Sequence, residues 1–294
     1  MLLDGRTIAN HILENLTTRV KKLEERYGTL PHLAVVKVGN DPATASYIRQ
    51  KEKMGKQIGA VVSVYQCPLA VTETKLFETI NYLQRNGEVH GIILQLPIPQ
   101  QIDAQKLILQ IHPDKDVDGF RPQSQFIVPI AKAVLKLLEV PYEYELRNKN
   151  KELRAVQQNP EFFNWLRSKN IVVMGKGKTG GAPIADLLRK DGAKVTVVDS
   201  QTSNAEEITK KADILISAVG KRGVITKNML KKDAILLGVG MGMDTQGNFG
   251  GDYMETDIQN QALWYTPVPG GVGPVNVACL MENLVIATEN ATKN

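Results

Sequence analysis

Residues 171–190 read IVVMGKGKTGGAPIADLLRK: an apolar β-branched run, a cluster of glycines, then a helical pattern. Gly175, Gly177 and Gly180 stand in G-x-G-x-x-G spacing where the strand ends. No other stretch narrows the fold as far. The first glycine permits a tight turn and the second lets backbone approach a pyrophosphate. The helix that follows offers free N–H groups and the positive end of its dipole. A second strand, 194–198, closes on Asp199, about 20 residues on, where a carboxylate can accept from a ribose 2′-hydroxyl and repel a 2′-phosphate. The expectation is a Rossmann-like domain for a nicotinamide dinucleotide, NAD in preference to NADP. Its candidate contacts are Gly175, Gly177, Lys178, Thr179, Gly180, Gly181, Asp199 and Ser200, with Val219 and Gly220 after the next strand. Gly177-Lys178-Thr179 imitates the end of a P-loop, but that motif needs glycine at 172, which is Val172. The alternative is a glycine turn that only connects elements. Against it, strand, helix and acid all fall where the fingerprint needs them.

At 294 residues the chain has room for two domains of ~150 residues each. β-branched runs alternate with helical stretches throughout, the pattern of an α/β fold. A helix is predicted over 5–27, with Ile8, Ile12, Leu16 and Val20 on one face. Strands follow at 33–38, 61–65 and 91–96, with helices at 45–58 and 72–86. Pro97 and Pro99 cut the third strand off. A second series of strands lies at 171–174, 194–198, 213–219, 234–239 and 263–266, and an apolar helix at 275–288 ends the pattern. The expected architecture is two α/β domains with a cleft between them. An N-terminal catalytic domain covers 1–120 and is completed by 275–294. The dinucleotide domain covers 121–274, with 121–169 as an atypical linker or insertion, polar and irregular in its middle.

Composition excludes several classes. With 43% hydrophobic and 23% charged residues the chain is globular rather than disordered. No run approaches the ~18–20 apolar residues of a membrane span. The start, MLLDGRTIANHILENL, lacks the basic region of a secretory signal. Two cysteines, Cys67 and Cys279, without a Cys/His cluster, fit a reducing cytoplasm. His90 and His112 lack ligand spacing, so no metal is expected. A net charge of +5 suits a polyanionic small ligand, while 5% aromatic residues leave no stacking platform for nucleic acid.

The first domain holds a second set of candidates. Tyr47 and Lys51, four apart on a predicted helix, share a face. A tyrosine offers a flat surface to a heteroaromatic ligand, and a desolvated lysine can shuttle protons near neutrality. By residue type alone, Lys51 with Lys53 and Lys56 reads more readily as a solvated basic face. Gln95, at a strand's C-terminal end, is either a ligand contact or a solvated strand end. Asp116 and Asp118 face the same way if extended, or else make a turn before Gly119. Pro267, Pro269, Gly270 and Gly271 suit a rigid loop that a ligand can approach closely, or a plain turn.

The stretches VGNDPATASYIRQKEK, GIILQLPIP, HPDKDVDGF and TPVPGGVGP resemble the signatures of the bifunctional methylenetetrahydrofolate dehydrogenase/cyclohydrolase family. The likeness covers 1–120 and 170–290. It implies hydride transfer from 5,10-methylenetetrahydrofolate to a nicotinamide, then hydrolysis of the methenyl product to 10-formyltetrahydrofolate. It also implies roles: Lys51 moves protons, Gln95 hydrogen-bonds and holds it, and Tyr47 and Asp118 fix the pterin. The loop of Pro267, Gly270 and Gly271 is then at the cleft between folate and nicotinamide. A homodimer paired through the cofactor domains is a further implication.

The chain also departs from the family pattern. Beyond Asp-Val-Asp-Gly the family runs through Asn-x-Gly-x-Leu into Pro-Cys-Thr-Pro, whereas here RPQSQ leads from Phe120 into FIVPIAKAVLKLL. The family's Gly-x-Ser-x-x-Val-Gly-x-Pro becomes a turn with Gly177 and Gly180 in place of the serine and valine. Asp199 and Gln201 replace a His and a basic residue, which again favours NAD. Ile-Asp-Val-Gly becomes Leu-Gly-Val-Gly at 237–240. Two other readings stay open from these departures: a cyclohydrolase-dominant member, and a non-catalytic folate- or nucleotide-binding scaffold. Retention of Tyr47, Lys51, Gln95 and Asp118 together speaks against the scaffold.

Overall fold

The computed structural model describes residues 1–148 and 160–293. The chain divides into two compact units, one of residues 9–129 with 277–294, the other of residues 1–8 with 130–276. Helix α1 (Gly5–Tyr27) leads into β1 (His32–Val38), α2 (Pro42–Ile58), β2 (Val61–Cys67), α3 (Glu73–Arg85), β3 (Gly91–Leu94) and α4 (Ala104–Ile108). Then come α5 (Pro129–Asn148), α6 (Pro160–Ser168), β4 (Asn170–Met174), α7 (Gly181–Lys190), β5 (Lys194–Val198), α8 (Ala205–Thr209) and β6 (Ile214–Ser217). The chain ends with β7 (Ala234–Gly238), β8 (Met241–Met243), β9 (Phe249–Gly251), α9 (Glu255–Ile258), β10 (Ala262–Tyr265) and α10 (Val272–Ala291). Among the described residues no helix is long and apolar enough to cross a membrane.

In the first unit the sheet is parallel, in the order β2-β1-β3. Strand β1 is central and covered on both faces, which is why its sequence does not alternate. Leu33 and Val35 pack with Leu16 and Val20 of α1 and Met281 and Leu284 of α10. Ala34 and Val36 pack with Leu76, Ile80 and Leu83 of α3. Each fully buried leucine contributes about 1.5–3 kcal/mol relative to exposure. The chain passes from β1 to β2 on one side and crosses to β3 on the other. In sheets of this order ligands bind outside the C-terminal ends of the strands that flank the reversal, here β1 and β3. Helix α2 closes on that edge. Asp41 caps it by accepting from Thr44 N at 2.7 Å, and Gly59 ends it in the left-handed region at φ 83°. A Cβ on Gly55 would come within 2.5 Å of Val62 Cγ2, so only glycine lets α2 lie this close to β2.

The second unit holds a five-stranded parallel sheet in the order β10-β7-β6-β4-β5. Counted from β4, this is a doubly wound order whose direction reverses between β4 and β6, where such sheets bind ligands. Strands β8 and β9 form a short antiparallel ribbon. The N-terminal residues belong here: Leu2 bridges to Tyr265, and Leu3 N donates to Tyr265 O at 2.8 Å.

Within 121–169 the structure has two helices that the sequence reading does not name, α5 at Pro129–Asn148 and α6 at Pro160–Ser168. Val134, Leu137, Leu138, Tyr142 and Leu146 are buried at three- and four-residue spacing along α5. The polar run that begins near Tyr142 hides this periodicity, since only every third or fourth position there is apolar. Residues 149–159 of the expected linker lie outside the described residues.

Candidate active site

Four of the expected residues gather in the first unit. Lys51, midway along α2, is only 9% exposed, and its Nζ donates to Gln95 Oε1 at 2.6 Å. Gln95 follows directly after β3. Its backbone N donates to Val36 O at 2.8 Å and its Nε2 to Leu96 O at 2.9 Å, so strand pairing fixes the amide's position. Burial pulls the Lys51 pKa below the ordinary lysine value, and the Asp118 carboxylate partly opposes this. Burial pushes the Asp118 carboxyl up, against the pull of Lys51. Tyr47, one helical turn before Lys51, keeps 43% of its surface exposed, which leaves its ring free for a ligand. The desolvated lysine can exist as a neutral amine and exchange protons, and the glutamine holds it in place.

Asp116 and Asp118 do not share a direction. Gly119 N donates to Asp116 O at 3.0 Å, so the stretch is a turn and not a strand. Asp116 is buried: its Oδ2 accepts from Arg121 N at 2.9 Å, and burial raises its pKa to about 6. It anchors the loop that presents Asp118. Gly119 has φ 71°, and a Cβ there would meet Phe126 O at 2.7 Å, which explains the glycine after the second aspartate. Asn283 of α10 donates to Val117 O and Ile127 O, both at 2.9 Å, and closes the loop from behind.

Sequence reasoning passed over Lys37. It is 7% exposed, on the same strand as the core residues of β1, and its Nζ reaches Asn40 Oδ1 at 3.5 Å. A lysine inside the apolar run AVVKV was the available signal.

The glycine turn of the second unit is built as expected from its sequence. Gly175 has φ 103°, and a Cβ there would lie 2.4 Å from Ala218 O. A Cβ on Gly181 would lie 1.9 Å from Gly175 O, so strand and helix meet backbone to backbone. Gly177 has nothing within 4 Å of its would-be Cβ, so the turn is open at its middle glycine. Lys178 and Thr179 are exposed beside it, and Gly180 caps α7 without a side chain. This geometry fits a pyrophosphate on the N-terminus of α7.

Asp199 is already engaged. Lys176 Nζ lies 2.5 Å from its Oδ2, while Gln201 N at 2.9 Å and Thr202 Oγ1 at 3.1 Å donate to Oδ1. The Lys176 ammonium holds its pKa below the usual carboxylate range. Ser200 is exposed next to it. Val219 and Gly220 follow β6, but their N–H groups point inward to Asp252, at 2.9 Å each. The Pro267 to Gly271 loop is rooted on buried Thr266, and Gly270 has φ 117°. A Cβ on Gly5 would sit 1.8 Å from Gly271 O, so the start of α1 packs directly on this loop. Asp252 and its neighbour Tyr253 carried no motif and were missed.

A parallel unit with a desolvated lysine and a doubly wound unit with a glycine-rich turn together fit an enzyme class that pairs acid–base chemistry with a bound nucleotide. Two family profiles match the chain. The tetrahydrofolate dehydrogenase/cyclohydrolase catalytic domain matches residues 3–118, and the NAD(P)-binding domain of the same family matches residues 162–292. The bifunctional protein FolD of Thermodesulfovibrio yellowstonii is 36% identical over 98% of this chain and 96% of its own. The structure of the bifunctional FolD dehydrogenase/cyclohydrolase of Campylobacter jejuni superposes with a TM-score of 0.86 at 31% identity, covering 99% of both chains. The Trypanosoma brucei methylenetetrahydrofolate dehydrogenase-cyclohydrolase, complexed with NADP cofactor and inhibitor, gives a TM-score of 0.86 at 30% identity, covering 100% of this chain and 99% of its own. The chain belongs to the tetrahydrofolate dehydrogenase/cyclohydrolase family.

Proposed function

We propose that the unit holding Lys51 binds and transforms the folate, and that the unit holding the glycine turn binds the dinucleotide. The chain is a methylenetetrahydrofolate dehydrogenase and methenyltetrahydrofolate cyclohydrolase of one-carbon metabolism. It oxidises 5,10-methylenetetrahydrofolate with NAD(P)+ and hydrolyses the methenyl product to 10-formyltetrahydrofolate. The observation that carries the assignment of roles is the 2.6 Å bond from desolvated Lys51 to Gln95.

In the hydrolytic step the oxygen of a water bonds to the methenyl carbon, and its proton passes to the neutral Lys51 amine. The bond from that carbon to the departing nitrogen then breaks as Lys51 returns a proton to the nitrogen, while the hydroxyl left on the carbon gives up its proton to solvent and becomes the formyl C=O. Gln95 holds Nζ in line for both transfers. Asp118 accepts from the amino and ring N–H groups of the pterin, and the Tyr47 ring covers its face. When bound, a nicotinamide dinucleotide would supply the hydride acceptor for the oxidative step, and the protein's part there would be orientation. The open backbone at Gly177, with Gly175, Gly180, Gly181, Lys178 and Thr179 around it, would hold the pyrophosphate. Asp199 and Ser200 would hold the ribose, with Val219 and Gly220 along the same edge. Pro267, Gly270 and Gly271 bound the folate.

NAD is the preferred cofactor, supported by a carboxylate at 199 that repels a 2′-phosphate. The protein is a homodimer paired through the dinucleotide units and works in the cytoplasm, where its two buried cysteines stay reduced. The test is an assay of 5,10-methylenetetrahydrofolate with NAD or NADP that follows reduced nicotinamide, with acid quenching to reveal methenyl product. Turnover with NAD and little with NADP is expected. Silence with both, alongside hydrolysis of methenyltetrahydrofolate, would reduce the reading to a cyclohydrolase.

A further inference from the structure

Asp252 and Tyr253 follow β9 and are buried, at 0% and 3% exposure. No feature of the reaction described above uses them. Asp252 nonetheless takes four donors. Ser217 Oγ at 2.6 Å and Val219 N at 2.9 Å donate to Oδ2, while Gly220 N at 2.9 Å and Lys221 N at 3.0 Å donate to Oδ1. Three successive backbone N–H groups of one loop converge on a single carboxylate. Hydrogen bonds to an ionised acceptor are about twice as strong as neutral ones, and here they compensate a charge with no access to water. The surrounding backbone is glycine for steric reasons. A Cβ at Gly240 would lie 2.2 Å from Asp252 Oδ2, and one at Gly242 would lie 1.9 Å from Gly220 O.

Tyr253 does the same for a different loop. Its hydroxyl donates to Thr266 O and lies 3.0 Å from Thr266 Oγ1, which in turn accepts from Gly238 N at 2.8 Å. The tyrosine ring fills the space beside Gly238, where a Cβ would come within 2.8 Å of Cε1. This is the position at which the chain's Leu-Gly-Val-Gly replaces Ile-Asp-Val-Gly, so an aromatic ring stands where a carboxylate would otherwise project. In the sheet, β7 separates β6 from β10. The dipeptide thus passes over the end of β7 and ties together the loop after β6 and the loop after β10.

We propose that Asp252 is a positioning residue that holds the backbone receiving the dinucleotide, with Tyr253 beside it tying the loop after β10 into the same unit. The proposal rests on the functional reading above and deepens it. Because the N–H groups of Val219 and Gly220 are turned inward to Asp252, they are not offered to a ligand.

The enzyme's two activities isolate this role in the full-length protein. In Asp252→Asn one side-chain amide N–H must face a backbone N–H, which breaks the convergence while keeping volume. The expected result is a rise of five- to tenfold in the dissociation constant for NAD, measured by titration calorimetry without folate. The KM for NAD rises in parallel, and cyclohydrolase activity in the same sample stays within twofold. Ser217→Ala removes one donor from the same carboxylate and gives a milder two- to threefold rise, which keeps the test decisive if D252N does not accumulate as folded protein. Unchanged NAD affinity in both variants would overturn the proposal, as would a proportional loss of both activities at constant KM. If the wild-type chain turns over neither folate, the functional reading fails, and the NAD titrations still decide the role of Asp252.

Discussion

In the unit that holds Lys51, the ligand edge is made by side chains. An ammonium, an amide, a phenol and a carboxylate come from α2, the end of β3 and one turn, and little depends on the shape of the backbone between them. In the unit that holds the glycine turn, the edge is made by backbone. Glycines at 175 and 181 let strand and helix meet, the glycine at 177 leaves a gap, and the loop after β6 is held from beneath by Asp252. Proton transfer needs a group whose pKa can be moved, which only a side chain provides. Orientation of a dinucleotide needs close approach and fixed dipoles, which the backbone provides best.

The largest effect that could break this comparison is at Lys51. Lys51→Met removes the proton carrier while keeping the buried stem, and methenyltetrahydrofolate hydrolysis should fall at least about 100-fold, the lower range for general acid–base catalysis. Nicotinamide reduction should persist in the same variant. The pH profile gives a second reading. Burial lowers the pKa of Lys51, and the neutral amine is the form that accepts a proton from water. Wild-type hydrolysis therefore rises with pH and levels off below the ordinary lysine value, whereas the residual rate of the variant lacks that inflection. Full hydrolysis by K51M would show that the side chains of this edge only bind.

A pair of alanine substitutions probes the backbone edge. In Gly181→Ala the new methyl meets Gly175 O at 1.9 Å, and backbone cannot rotate away as a side chain does. Overpacking of this kind costs about 1–3 kcal/mol or more, and the melting temperature should drop by several degrees. Gly177→Ala meets nothing within 4 Å. Its melting temperature should stay within about a degree of wild type, because exposed substitutions without strain cost under ~0.5 kcal/mol. Its NAD affinity should fall about tenfold, because the methyl occupies the space a pyrophosphate needs. Thermal melts beside NAD titrations check both, and a G177A variant that binds NAD normally would mean that the gap is not the phosphate site.

The contrast also explains what could be read from the sequence. Side-chain chemistry is written locally: Tyr47 and Lys51 are one turn apart, Gln95 ends an apolar run, and Asp118 precedes a glycine. The steric glycines were visible for the same reason, since their spacing reports the turn. Asp252 was not visible, because what it holds lies more than thirty positions earlier, in Ser217 to Lys221, and only the fold brings them together. The separation of Asp116 from Asp118 was equally hidden, because a two-residue spacing does not tell strand from turn. Helix α5 escaped because its apolar stripe thins out just where charged residues crowd it.

The smallest expected effect concerns the one side chain on which the second edge depends. Asp199 was expected to reject a 2′-phosphate by its charge, but Lys176 sits 2.5 Å away and is 66% exposed. A pair this open to solvent is weakly held, so a ligand can displace Lys176 from the carboxylate at little cost. The preference for NAD then depends on what is left when the pair opens: a free ammonium that attracts a phosphate and a free carboxylate that repels it. Asp199→Ser removes the repulsion and releases the ammonium, and the ratio of kcat/KM for NAD over NADP should fall about tenfold. Lys176→Met removes the attraction alone and should raise that ratio by a smaller factor. Both shifts should shrink at high salt, since the groups are close to solvent. Comparable efficiency with the two cofactors in the wild type would mean that Lys176 already cancels Asp199. Discrimination at this edge would then rest on backbone shape, like everything else about it.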